Sequence, residues 1–112
     1  MEPLRQAIIS EVIKKTPELE KFTVDQLNQD FFLPSSHRLT YYGLQCVKNV
    51  FTPYSFDIGA DLHLKSKHYI ALSNTMTYPY YLSQNKLILF SEMDAMVIKL
   101  CGNVKIFLDR SS

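Results

Sequence analysis

Two histidines, His63 and His68, and two cysteines, Cys46 and Cys101, are the residues of this chain best suited to hold a metal. Their spacing argues against it. At the helical repeat, side chains five residues apart point about 140° away from each other, whereas an i, i+4 pair would converge. Neither cysteine has a neighbour at C-x-x-C spacing, and each lies inside an apolar helical pattern, so both read as reduced core residues. Glu92 and Asp94 are close enough for acid–base work. They fit the first turn of a helix better, where the macrodipole favours carboxylates. No Gly-x-Ser-x-Gly element exposes a nucleophile, and three scattered glycines cannot form a phosphate-cradling loop. The expectation is a protein without a catalytic site, cofactor or metal.

Contact with nucleic acid is the chemistry that the remaining residues favour. The stretch Ser36-His37-Arg38-Leu39-Thr40-Tyr41 is polar and basic at the start of an expected helix. Arg38 suits a phosphate or a guanine edge, and Ser36, Thr40 and Tyr41 suit phosphates. Gln45, Lys48 and Asn49 continue the polar face. Lys65, Lys67 and His68 form a second basic cluster, and Gln84-Asn85-Lys86 forms a hairpin tip able to act as a wing. Net charge is only +1, which excludes a bulk electrostatic sponge but not a local patch. The middle third, residues 34–68, is the most cationic and holds all three histidines. The alternative is a protein-binding module. Tyr78, Tyr80 and Tyr81 surround Pro79, and tyrosine on a rigid loop suits an interface. A short aromatic last helix containing Phe107 could dock as a peptide. The competing reading is that these rings pack the sheet onto its helices and close the core.

The elements that must position these residues follow from periodicity and caps. Leu4, Ile8 and Val12, widened by Ile9 and Ile13, give a helix over about residues 3–15, with Pro3 in its first turn. Thr23 caps a second helix in a capping box with Gln26, and Pro34 stops it. Ser35-Ser36 or Thr40 can cap a third over about residues 39–51, in which Gly43 costs roughly 1 kcal/mol relative to Ala, a cost often tolerated where another backbone packs close. Tyr54, Phe56 and Ile58 alternate as a strand, followed by a loop with Gly59 and Asp61. Ser66 can cap a fourth helix over about residues 66–75, with Ile70, Ala71 and Leu72 inward. Residues 80–82 and 87–90 flank a polar turn as a hairpin. Ser91 with Asp94 opens a fifth helix lined by Met93, Met96, Val97 and Leu100 and ended by Gly102. Asn103 caps a last helix with Val104, Phe107 and Leu108, and the tail 109–112 frays.

Length, 46% hydrophobic residues and scarce glycine fit one core and one domain over residues 1–112, not an all-β barrel. The expected fold class is α+β: an N-terminal three-helix unit in winged-helix-like order, a small three-stranded antiparallel sheet and C-terminal helices. The fourth helix is an awkward insertion for a simple winged helix. The N-terminus lacks a signal-peptide pattern, and no apolar run approaches the length of a membrane span, so the expected setting is the cytoplasm. A homodimer is permitted by the surplus of aromatic residues.

The block from Arg38 to Leu108 adds a resemblance. Arg38-Leu39-Thr40 with Gly43, then Lys67-His68, Pro79-Tyr80-Tyr81, Leu87 to Phe90 with Glu92, Lys99-Leu100-Cys101-Gly102 and Phe107-Leu108 make it similar to small accessory proteins of large contractile-tailed bacteriophages. The resemblance implies expression in a bacterial host and a role in phage takeover; the expected partner is nucleic acid or a bacterial or phage protein. It supplies no functional residues, and the first 33 residues take no part in it.

Overall fold

The computed structural model describes residues 2–34, 36–59 and 62–111. Ser35, Asp61 and Ser112, which carry the expected Ser-Ser cap, part of the loop after the first strand and the end of the tail, lie outside them.

The protein is α+β. Among the described residues, six α-helices and one short 3-10 turn surround a three-stranded antiparallel sheet. The first helix, α1 (Pro3–Lys15), has the expected bounds, and the Glu2 carboxylate caps it by accepting from the Leu4 and Arg5 N–H groups. A 3-10 turn over Pro17–Lys21, not expected from the sequence, leads to α2 (Val24–Phe31), whose Thr23 hydroxyl accepts from the Gln26 N–H. Next come α3 (Tyr41–Val47), β1 (Tyr54–Asp57) and α4 (Ser66–Thr75). The hairpin β2 (Tyr80–Leu82) and β3 (Lys86–Leu89) precedes α5 (Glu92–Cys101) and α6 (Val104–Ser111). Ser91 and Asn103 cap the last two helices as expected, and α6 continues through residues expected to fray.

The sheet, in order β1-β3-β2, is sandwiched between two groups of helices. Register sets the two faces. Tyr54, Leu89 and Tyr80 lie across from one another, as do Phe56, Leu87 and Leu82, and these six side chains pack with α4, α5 and α6. Alternation along the strands sends Tyr81 and Ile88 the other way, onto α1, α2 and α3.

Three local expectations are corrected. The third helix, Tyr41–Val47, is shorter than 39–51: it gives way to a turn after Val47, and its expected start is extended. The Leu39 N–H donates to the Tyr80 carbonyl (2.7 Å) and the Tyr80 N–H to the His37 carbonyl (3.1 Å), so residues 37–39 border β2 in parallel. Thr40 therefore provides the cap, accepting from the Gly43 N–H at 3.0 Å. In α4, Lys65 and not Ser66 holds the cap position, Ser66 being the first helical residue; Ile70 faces solvent and His68 is buried beside Ala71 and Leu72. In α5, the Met93–Leu100 row is the outer face, and Asp94, Ala95 and Ile98 face inward.

Tyr80 is 1% exposed. Burial pushes its hydroxyl above the ordinary 10.0, partly offset by the Ser73 hydroxyl at 3.4 Å and the charge of Arg38. Below that ordinary value both folded and unfolded chains hold the proton; above it the unfolded chain ionises first, so stability falls as pH rises. The urea midpoint of Tyr80→Phe should fall less than that of the wild type between pH 8 and about pH 10.5. Equal losses would mean that this ring titrates freely when folded.

Candidate nucleic-acid interface

The expected contact residues fall into three environments. Ser36 and His37 are half-buried in a cleft of about 380 Å³ shared with Glu2, Arg5 and Ser73. The Arg5 guanidinium donates to the Ser36 carbonyl, and the Ser36 hydroxyl accepts from the Arg38 N–H. His37 Nδ1 stands 3.9 Å from the Glu2 carboxylate. Arg5 is also stacked over the Phe32 ring (4.7 Å), and burial pulls its guanidinium below its ordinary value, with Glu2 opposing that shift. These groups fasten the N-terminus to the segment before α3.

The second environment is the outer face of α3. Thr40 is occupied as its cap, donating to the Asp30 carbonyl at 2.6 Å. Tyr41 is 65% exposed, its ring edge-on to Tyr81 at 6.3 Å. Gln45 is half-buried and Lys48 exposed; at i, i+4 and i+7 these three residues share one side of the helix.

The third environment gathers residues from three separate stretches. A cavity of about 320 Å³ is lined by Leu62, His63, Leu64, Tyr69 and Gln84. Leu64 leads directly into Lys65 and the first turn of α4, which carries Lys67; both lysines are exposed. Gln84 belongs to the hairpin turn and is followed by exposed Lys86. The Tyr69 ring carries the Arg38 guanidinium at 4.9 Å, and Arg38 also donates to the Leu82 carbonyl at 3.3 Å. Among the described residues, no ion pair engages Lys48, Lys65, Lys67 or Lys86.

Two expected contact residues are therefore committed inward. Arg38 is half-buried and spans from the sheet edge to α4, with its Nε buried and unpaired. His68 is 3% exposed, and its Nδ1 accepts from the Lys65 N–H at 3.1 Å, so it starts the helix and stays out of the exposed cluster. The hairpin tip is not a free wing either. Lys86 lies across from Asp57 in the β1–β3 ladder, and the Ile58 N–H donates to the Asn85 carbonyl at 3.0 Å. Sequence reasoning did not single out Tyr69; its signal was its place one turn into α4, next to the basic pair.

On the alternative surface, Tyr80 and Phe107 are core residues, Tyr78 is half-buried edge-on to Phe51 at 6.0 Å, and Tyr81 is half-buried. Among the described residues, no three His, Cys, Asp or Glu side chains come together as metal ligands, and no helix is long and apolar enough to cross a membrane. No protein-family model, curated protein or solved structure matches the chain.

Proposed function

We propose that this protein binds nucleic acid without catalysis, at the face where the start of α4, the segment before it and the hairpin turn meet. One observation carries the reading: a cavity with an aromatic wall, Tyr69, and polar groups on His63 and Gln84 is lined by residues close in sequence to Lys65 and Lys67, which are exposed and free of ion pairs among the described residues. Lysines of this kind hold phosphates, and an aromatic wall beside amide and imidazole groups suits an unstacked base. Tyr41, Gln45 and Lys48 offer a second row of contacts on α3. DNA is the expected nucleic acid, in transcription, replication or genome handling. The setting we propose, a phage accessory protein in the bacterial cytoplasm, rests on the resemblance of residues 38–108 alone. A protein-binding role through the tyrosine segment has less support, because Tyr80 and Phe107 are taken up by the core.

Fluorescence anisotropy with labelled single-stranded and duplex DNA at low salt tests the proposal. The double substitution Lys65→Ala, Lys67→Ala should weaken binding about tenfold and reduce the slope of log affinity against log salt by nearly two. Its melting temperature should stay at the wild-type value, since both side chains are exposed. Absence of binding by the wild type at low salt, or an unchanged salt slope in the variant, overturns the reading.

A further inference from the structure

The outer face of α5 is apolar. Met93 is 76% exposed, Met96 51%, Val97 37% and Leu100 82%, at spacings i, i+3, i+4 and i+7. Ile106 of α6 extends this row past the helix end: it is exposed, and its Cδ1 lies 3.4 Å from where a Cβ on Gly102 would stand. Together these side chains offer roughly 500 Å² of apolar surface, at the upper end for a monomer's largest patch. Two such faces pressed together would bury roughly 1,000 Å², the lower bound for a specific interface, with nothing required from elsewhere on either copy.

Charge selects the arrangement. Glu92 and Lys99 are seven residues apart, so they flank the row on the same side; both are exposed, and among the described residues neither has an ion pair. Antiparallel packing about a two-fold axis between Met96 and Val97 sets Met93 against Leu100 of the partner subunit and Met96 against Val97 of the partner subunit. It also brings Glu92 beside Lys99 of the partner subunit, twice. Parallel packing would bring like charges to the same end. We propose that α5 is a self-association face, covered by a second copy of this chain packed antiparallel about a two-fold axis.

Sedimentation equilibrium on the whole chain tests this. The wild type should dimerise in the micromolar range. Leu100→Glu, which changes only an exposed side chain, should weaken the dimer at least about 30-fold, with an unchanged circular-dichroism melt at concentrations low enough for both proteins to be monomeric. Glu92→Lys and Lys99→Glu should each weaken it about tenfold. Mixing the two variants one to one should restore a heterodimer, because both pairs of facing side chains then join opposite charges across the interface. A wild type that stays monomeric to about 200 µM, a dimer indifferent to Leu100→Glu, or no rescue on mixing overturns the proposal. It stands apart from nucleic-acid binding, since the Lys65→Ala, Lys67→Ala protein should retain the wild-type dimer.

Discussion

Gly43→Ala is expected to lower the melting temperature by about 10 °C, although alanine is the better helix former. The gain from propensity is about 1 kcal/mol. Against it stands a backbone collision. A Cβ at Gly43 would lie 2.9 Å from the carbonyl carbon and Cα of Phe31, and closer still to the carbonyl oxygen. That oxygen is already engaged, accepting from the Thr40 N–H at 2.8 Å, and Thr40 in turn caps α3. The end of α2 and the start of α3 are thus clasped through main-chain atoms that cannot rotate away, and Phe31 is itself fully buried. Separating them costs about 3–4 kcal/mol, leaving a net loss of about 2–3 kcal/mol, which corresponds to about 10 °C in a domain of this size. Thermal unfolding followed by circular dichroism reads it directly. Gly102→Ala serves as the comparison. Gly102 has φ +106° at the end of α5, but its Cβ would meet only the flexible tip of Ile106 at 3.4 Å, so about 1 kcal/mol is expected there. A Gly43→Ala protein as stable as the wild type would show that α2 and α3 do not approach this closely.

The second large effect belongs to Asp94. As a carboxylate in the first turn of a helix it would contribute about 0.3–1 kcal/mol. Its surroundings indicate a larger role. The side chain is 2% exposed and accepts from the Thr77 N–H and Tyr78 N–H at 3.2 Å and from the Thr77 hydroxyl at 2.9 Å. Hydrogen bonds to a charged acceptor contribute about 1.5–3 kcal/mol each, less when shared. Asp94→Ala leaves two main-chain donors without that partner and should cost about 3 kcal/mol, read as a shift in urea midpoint at constant m-value. Asp94→Asn retains the volume and one acceptor oxygen and should cost about 2 kcal/mol; Thr77→Val removes only the hydroxyl bond and should cost about 1 kcal/mol. A dipole role alone would make Thr77→Val silent and all three losses small. Because residues 76–78 lead into β2, the Asp94 bonds also fix where Tyr80 enters the sheet.

Local signals in the sequence were the reliable ones. The caps at Thr23, Ser91 and Asn103, the bounds of α1 and the hairpin around Ser83–Asn85 each depend on residues within a few positions of one another, and all are present in the fold. What could not be read depends on distant partners. Arg38 has the composition of a phosphate contact, but its guanidinium meets a carbonyl 44 residues away in sequence. The strand-like pairing of residues 37–39 comes from Tyr80 and leaves no trace in their own pattern. The orientation of α5 was ambiguous because the helix is apolar on two sides. Met93, Met96, Val97 and Leu100 make the more hydrophobic row, yet Ala95 and Ile98 turn inward, because Asp94 beside them is needed by the loop at Thr77. Of the candidate contact residues, the exposed lysines stayed available and the groups with more varied bonding, Arg38 and His68, were drawn into structural roles.

The pairing of residues 37–39 with β2, together with Tyr81, Ile88 and Phe90 packing against the first three helices, also constrains the order of events during synthesis. The helical half leaves the ribosome with one side of its core still missing. It must wait for about forty further residues, roughly 2–8 s at ordinary elongation rates, before the hairpin arrives to close it. The nascent chain therefore carries exposed Phe31, Phe32 and Leu39 during that interval. A translational pause between residues 51 and 90 would lengthen the wait and raise the fraction lost to aggregation.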